Sequence, residues 1–300
     1  MSFLATTDYF ARPLPEENWL VEHLVPRGGT VQLYGKRKSG KSFLAMTLAS
    51  AIADGHPYFL SKDFPITTQG GTVMFLQLDT PPGLWTEYLV TSQRPYGSVL
   101  WADALQIPDP PFDISTEVHS NWLHNQVEAH QPILLVVDSL RELHRGDEND
   151  SAVMTKIFSR LRKAVGLDTA IFLIHHQKKI SMMEVPDLIE SSRGASYIAG
   201  KVDVLMRLSG QNPEKKVFDY VGRTRTVTKG LKLWQDTNTG LLYHGSRRRS
   251  SILRLFQEYP QCGTMNQFAT ICSQQGIEGS HATIRRDIEE MGLFTQQPSA

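Results

Sequence analysis

Thr30-Val31-Gln32-Leu33-Tyr34-Gly35-Lys36-Arg37-Lys38-Ser39-Gly40-Lys41-Ser42 is the stretch that decides the fold. It begins as a short, mostly apolar run of the kind that forms a buried strand. Gly35 to Ser42 then satisfy the spacing G-x-x-x-x-G-K-[ST], and a helical pattern follows over residues 41–54. The glycines let the backbone curl until its N–H groups face one point, and the helix N-terminus adds favourable partial charge there. Such a loop holds phosphate. Lys41 is placed to reach terminal phosphates, and the Ser42 hydroxyl is a ligand for Mg²⁺. The alternative is a chance glycine-rich turn, and the strand before it and the helix after it argue against that.

Outward from this stretch, short apolar runs recur at residues 72–78, 133–137, 170–174 and 204–208. Each suits a strand covered on both faces. Helical patterns lie between them at 83–93, 116–130 and 151–165, so strand and helix alternate. Alternation of this kind predicts an α/β domain with a doubly wound, mostly parallel sheet. Residues 1–29 are punctuated by Pro and Gly and read as an arm. Residues 30–246 read as the α/β domain, closed by hairpin strands at 216–221, 231–235 and 240–244 with a turn at 236–240. Residues 247–300 read as a small all-α module. Its helices are expected at 250–258, 265–275 and 281–291, after the basic joint Ser246-Arg247-Arg248-Arg249.

The 300 residues carry 31 Lys+Arg and 31 Asp+Glu, so no whole-molecule basic field exists and any nucleic-acid contact must be a local patch. Cys262 and Cys272 have neither metal-ligand spacing nor a disulfide framework, which fits a reducing, cytoplasmic setting. No basic-then-apolar leader and no membrane-length apolar run is present, so no membrane partner is expected.

A phosphate loop of this kind needs a carboxylate at a neighbouring strand end. Ile133-Leu134-Leu135-Val136-Val137-Asp138 supplies it, since ligands sit at the carboxyl edge of such sheets. Asp138 is the expected metal-side carboxylate, the bland alternative being a turn or cap Asp.

In these features the chain resembles the RecA-like ATPases of the plasmid RepA type, relatives of the DnaB replicative helicases. The resemblance covers about residues 17–245. It rests on Trp19-Leu20-Val21 with Pro26-Arg27-Gly28-Gly29, the Walker A loop, Leu78-Asp79-Thr80-Pro81-Pro82, the Walker B strand ending in Asp138, and His175-His176 followed by Arg193-Gly194-Ala195-Ser196. It implies ATP and Mg²⁺ as cofactors and a homo-oligomeric, hexameric ring with ATP between subunits. Single-stranded DNA is expected in the channel. In the family a glutamate at the end of the second core strand is the catalytic base. Here that position is Asp79, one methylene shorter, and a turn residue before Pro81-Pro82 is the other reading. The resemblance makes His176 the γ-phosphate sensor, with His175 packing inward. It makes Lys178, Lys179 and Arg193 candidate channel contacts to DNA, against the local acids Glu184, Asp187 and Glu190; a plain solvated loop is the competing reading. Arg223 and Arg225 resemble the Lys-x-Arg finger inserted into a neighbour's ATP site. Spaced by one residue, they share a face of a strand, and two exposed strand arginines remain the alternative.

In the C-terminal module, Ile252, Leu255, Phe256, Met265, Phe268, Ile271, Ile284, Ile288 and Met291 give three helices apolar faces, and Ser280 is a cap for the third. The phrase Ala282-Thr283-Ile284-Arg285-Arg286-Asp287-Ile288 resembles the third helix of bacterial winged-helix regulators. Thr283, Arg285 and Arg286 are candidate duplex contacts, joined by Arg247, Arg248 and Arg249. A helical protein-binding module is the alternative. Three functional classes stand: a ring motor of the replicative-helicase type, an ATP-switched DNA-binding regulator or initiator, and a RecA-like recombination or helicase-accessory ATPase.

Overall fold

The sheet is built from strands whose alternate residues feed two different cores. In β3 (Thr30–Gly35) and β4 (Val73–Gln77), Val31, Leu33, Val73 and Phe75 join one buried cluster, while Tyr34, Met74 and Leu76 join the other. The same alternation divides β6 (Leu134–Asp138) and β7 (Ala170–His176). Period-two side chains that are apolar on both faces leave only one stable arrangement, a sheet with layers on each side. The computed structural model describes residue 6 and residues 19–92, 96–176, 200–213, 215–222, 230–235, 240, 242–244, 247–259, 262–291 and 293–294.

The strand order in the 9-stranded sheet is β11-β10-β9-β8-β3-β7-β6-β4-β5. Here β5 is Val99–Ala102, β8 Val204–Ser209, β9 Lys216–Gly222, β10 Leu231–Gln235 and β11 Leu242–His244. From β8 to β5 all neighbours are parallel, and β9, β10 and β11 extend the β8 edge in antiparallel fashion. The α/β, doubly wound, mostly parallel sheet expected from the sequence is therefore what the chain forms. Helix α1 (Lys41–Ala53) is buried nearly all round in the first cluster. On the other face, Leu123 and Val127 of α3 (Glu117–His130) and Ile157 and Leu161 of α4 (Ser151–Val165) pack into the second. Helix α2 (Pro82–Ser92) starts with proline at its first position, where a missing N–H costs nothing. Asp150 caps α4 by accepting from the N–H groups of Ala152 and Val153 at 2.8 and 3.2 Å.

Three details differ from the sequence expectation. The arm expected over residues 1–29 enters the core at its second half. Trp19–Val21 (β1) pairs antiparallel with Val25–Pro26 (β2), and Leu20, Val21, Leu24 and Val25 are fully buried. Strand β5 was not foreseen, because Val99-Leu100-Trp101-Ala102 is short and follows a Pro- and Gly-containing stretch. The basic joint is helical: α5 spans Arg247–Glu258, so Arg247 to Arg249 form its first turn.

The last helices, α6 (Met265–Gln274) and α7 (His281–Glu290), join α5 around a cluster of their own that includes Ile252, Leu255, Phe268, Cys272, Ile284 and Ile288. Ser280 caps α7, accepting from the Thr283 N–H at 3.2 Å. Cys262 and Cys272 are free and buried. Among the described residues no helix is long and apolar enough to cross a membrane.

Candidate functional site

Register and parity assemble the site. Gly35 lies opposite His176 across the β3–β7 pair, and Gln77 lies opposite Asp138 across β4–β6. Gly35, Gln77, Asp138 and His176 each continue the parity of the α1-facing residues in their own strand: Leu33, Phe75, Val136 and Ile174. Four strand ends thus present one glycine and three polar side chains to one face, at the carboxyl edge.

The loop from Gly35 to Gly40 bends through Lys38 at φ 61° and Gly40 at φ 97°. Gly40 is the N-cap of α1 and no side chain caps that helix, so its first amides are not consumed by the protein's own oxygen atoms. Lys41 folds back: its Nζ donates to the carbonyls of Gly35 at 3.2 Å and Lys36 at 3.0 Å. Burial lowers its pKa from 10.5 to about 8, opposed by the charges of Asp138 and Asp79. The Ser42 hydroxyl donates to Asp138 at 2.6 Å.

Asp138 is 3% exposed, and burial pushes its carboxyl up from the ordinary range, against the hydrogen bonds from Ser42 and Gln77. A buried carboxylate beside a hydroxyl is a strained place for unbalanced charge and a good one for a hard cation. The oxygen donor set fits Mg²⁺, which binds through one or two protein oxygens and takes the rest from phosphate and water. No group of three or more His, Cys, Asp or Glu side chains able to hold a metal occurs among the described residues. Ser42 and Asp138 are therefore the residues that would hold the ion, and its chemistry there would be to neutralise phosphate oxygens.

Gln77 was missed in the sequence. It is buried, its Nε2 donates to Asp138 at 3.1 Å, and its Oε1 accepts from the N–H groups of Asp79 at 2.8 Å and Thr80 at 3.0 Å. The Asp138 carbonyl also accepts from the N–H groups of Leu78 and Asp79. One amide side chain thus fixes the metal-side carboxylate and the turn carrying the candidate base. The available signal was parity, since a polar residue follows Val73 and Phe75 on the inward face of an apolar strand. Asp79 itself is 45% exposed, and its carboxylate lies 3.8 Å from His176 Nε2. That is beyond hydrogen-bond length, so the two are neighbours without a fixed bond. His175 points to the other face, fully buried, with Nδ1 3.8 Å from the Glu148 carboxylate.

Of the remaining candidates, Lys36, Arg37 and Lys38 are exposed in the loop, and Ser39 is fully buried beneath it. Lys178, Lys179, Arg193, Arg223 and Arg225 lie outside the described residues, as does the side chain of Arg247. Arg248 and Arg249 were expected to face duplex phosphates. Both donate through Nε to the buried carboxylate of Asp287, at 2.6 and 3.0 Å, and tie α5 to α7. Arg285 and Arg286 are exposed on α7, with Thr283 half-buried at its start.

A glycine loop between a strand and a helix, with Ser42 bonded to a strand-end aspartate, defines a P-loop nucleotide-binding protein. The profile of the AAA domain family matches residues 2–182, and the chain belongs to that family. It is a P-loop ATPase of RecA-like fold. The chain is similar to the ATPase domain of G40P, with TM-score 0.55 and 10% identity, over 73% of this chain and 86% of that one. It is similar to a KaiC-like protein from Pyrococcus horikoshii OT3, with TM-score 0.50 and 16% identity, over 77% and 96%. It is also similar to a DnaB-like replicative helicase, with TM-score 0.54 and 11% identity, over 72% of this chain and 57% of the helicase.

Proposed function

We propose that the chain is an ATP-hydrolysing, DNA-dependent motor of the replicative-helicase type, working as a ring with ATP bound between subunits. The observation that carries this reading is the Ser42–Asp138 pair at 2.6 Å, with Lys41, Gln77 and Asp79 gathered beside it. The likeness in fold to helicase ATPase domains supports the class. In this reading Lys41 neutralises the terminal phosphates, and Ser42 and Asp138 hold Mg²⁺. Asp79 accepts the proton of the attacking water, and His176 reads the γ-phosphate. Arg223 and Arg225 come from the next subunit. Lys178, Lys179 and Arg193 contact the single strand. The test is ATP turnover with and without single-stranded DNA, alongside particle symmetry with a slowly hydrolysed ATP analogue. Turnover indifferent to DNA, or an assembly that never closes, would sink the motor reading.

Asp79 offers a sharper test. Asp79→Asn keeps the shape and loses the proton acceptor, so it should bind ATP normally and turn over about 100-fold or more slowly. Asp79→Glu should keep activity or raise it, because it restores the reach of the family's base. Full activity in Asp79→Asn would place the base elsewhere.

The exposed α7 face favours a second reading, an ATP-switched DNA-binding regulator that never translocates. His281, Ala282, Arg285, Arg286 and Glu289 line that face, as in a helix presented to a groove. Strand displacement measured against duplex binding separates the two. Removal of residues 247–300 should leave core turnover intact and weaken duplex binding. Because Asp287 engages Arg248 and Arg249, Arg286→Ala alone should lower the salt slope by about one unit. An unchanged affinity and slope in the truncation would exclude duplex binding by this module.

A further inference from the structure

The phosphate loop is gripped from outside by the antiparallel extension of the sheet. Lys216, the first residue of β9, is 1% exposed, yet it carries an ammonium group. Its Nζ donates to the Ser39 carbonyl at 2.6 Å and to the Gly210 carbonyl at 3.3 Å. Among the described residues it forms no ion pair with a carboxylate. An apolar side chain would fill this position without the cost of burying a charge.

Neighbouring contacts converge on the same loop. The Gln235 side chain lies against Gly40, where an added Cβ would meet it at 3.2 Å, and its Nε2 donates to the Gly240 carbonyl at 2.8 Å. Gly240 in turn sits on the Phe43 ring of α1, so closely that a Cβ there would be 2.2 Å from it. Gly35 packs against the Leu208 carbonyl at the end of β8 in the same way, at 2.3 Å.

We propose that Lys216 is a positioning residue for nucleotide binding, holding the phosphate loop in its receptive shape from the β9 side while Gln235 braces Gly40. In a trans peptide the carbonyl and the following N–H point in opposite directions. Drawing the Ser39 carbonyl toward Lys216 therefore turns the Gly40 N–H the other way, off the β9 side. Lys216 also adds positive charge behind the loop, near enough to oppose the charge on Lys41. The ligand class favoured by the arrangement is a polyphosphate over a nucleoside, and the contribution is made through the loop without touching the ligand.

The inference rests on the loop being the nucleotide site, and the experiment separates the two. Affinities for ADP and for adenosine are measured on the full chain by competition with a fluorescent ADP analogue, with thermal melts alongside. Lys216→Met, which keeps the stem volume, should bind ADP about tenfold or more weakly, as expected for a lost charged hydrogen bond. Adenosine binding should be unchanged and the melting temperature held or raised. Gln235→Ala, at a half-buried position, should show the same selective loss more weakly. An unaltered ADP-to-adenosine preference in Lys216→Met, or an equal loss of both ligands, overturns the role; if that variant does not fold, Gln235→Ala decides by the same criterion. Wild-type ADP binding by Lys41→Ala would remove the nucleotide site itself.

Discussion

Lys41→Ala is expected to abolish ATP turnover while the protein stays folded. Among the described residues, the Lys41 ammonium group donates to the loop carbonyls of Gly35 and Lys36 and to no side chain of the apolar core. Its loss therefore removes charge facing the terminal phosphates and little packing. Rates should fall to the background of the assay, and the melting curve without nucleotide should move by a few degrees at most. The same residue predicts a pH dependence. Burial lowers the Lys41 pKa to about 8 in the nucleotide-free protein, and phosphate binds the charged form. Proton linkage then makes ATP affinity nearly flat below that pKa. Above it, affinity should fall by up to about tenfold per pH unit, since each further unit removes most of the remaining charged form. Lys41→Ala should bind ATP weakly and lack this alkaline decline. A soluble Lys41→Ala that hydrolyses ATP at the wild-type rate would refute the site assignment.

What the sequence made legible follows from how local each signal is. The phosphate loop is contiguous, and its glycines, lysine and serine have few other physical reasons to occur between a strand and a helix. Asp138 was readable because an apolar run that ends in a carboxylate marks a strand end. The helical patterns at 116–130 and 151–165 were readable between the strand runs, and the structure adds their caps, Thr116 and Asp150. Gln77 and Lys216 were not, because their roles arise from contacts 61 and 177 residues away, with Asp138 and Ser39. A Lys opening a strand, here the second of the pair Lys215-Lys216, reads as solvent-facing until the sheet order places β9 beside β8 and the loop. The same limit applied to Arg248 and Arg249. Their charge was plain, but their engagement by Asp287 depends on how α5 meets α7. Strand β5 escaped for a different reason: four residues are too few to establish a period, and its place in the sheet is set by pairing with β4.

Arg225→Ala is expected to cost about a thousandfold or more in turnover if the arginine serves a neighbouring subunit's site, the scale typical of such a finger. The planar guanidinium can meet two phosphoryl oxygens at once, which an exposed structural arginine has no need to do. A mixing experiment tests the boundary between subunits. Lys41→Ala and Arg225→Ala proteins, each inactive alone, are dissociated by dilution, mixed and reassembled with nucleotide. In mixed assemblies some interfaces pair the intact Lys41 of one subunit with the intact Arg225 of the next. Those interfaces should regain hydrolysis, in proportion to their statistical share. Because the single-variant background lies about three orders of magnitude lower, even a minority of repaired sites stands out. With mixing verified by mass, an absence of recovery would assign Arg225 to its own subunit or require every interface to fire together. Titrating in wild-type subunits separates these. A linear rise in rate with wild-type fraction leaves the sites independent and so excludes a partner-supplied Arg225, whereas a steep rise means concerted firing around the assembly. An Arg225→Ala protein with wild-type turnover would remove the residue from the chemistry altogether.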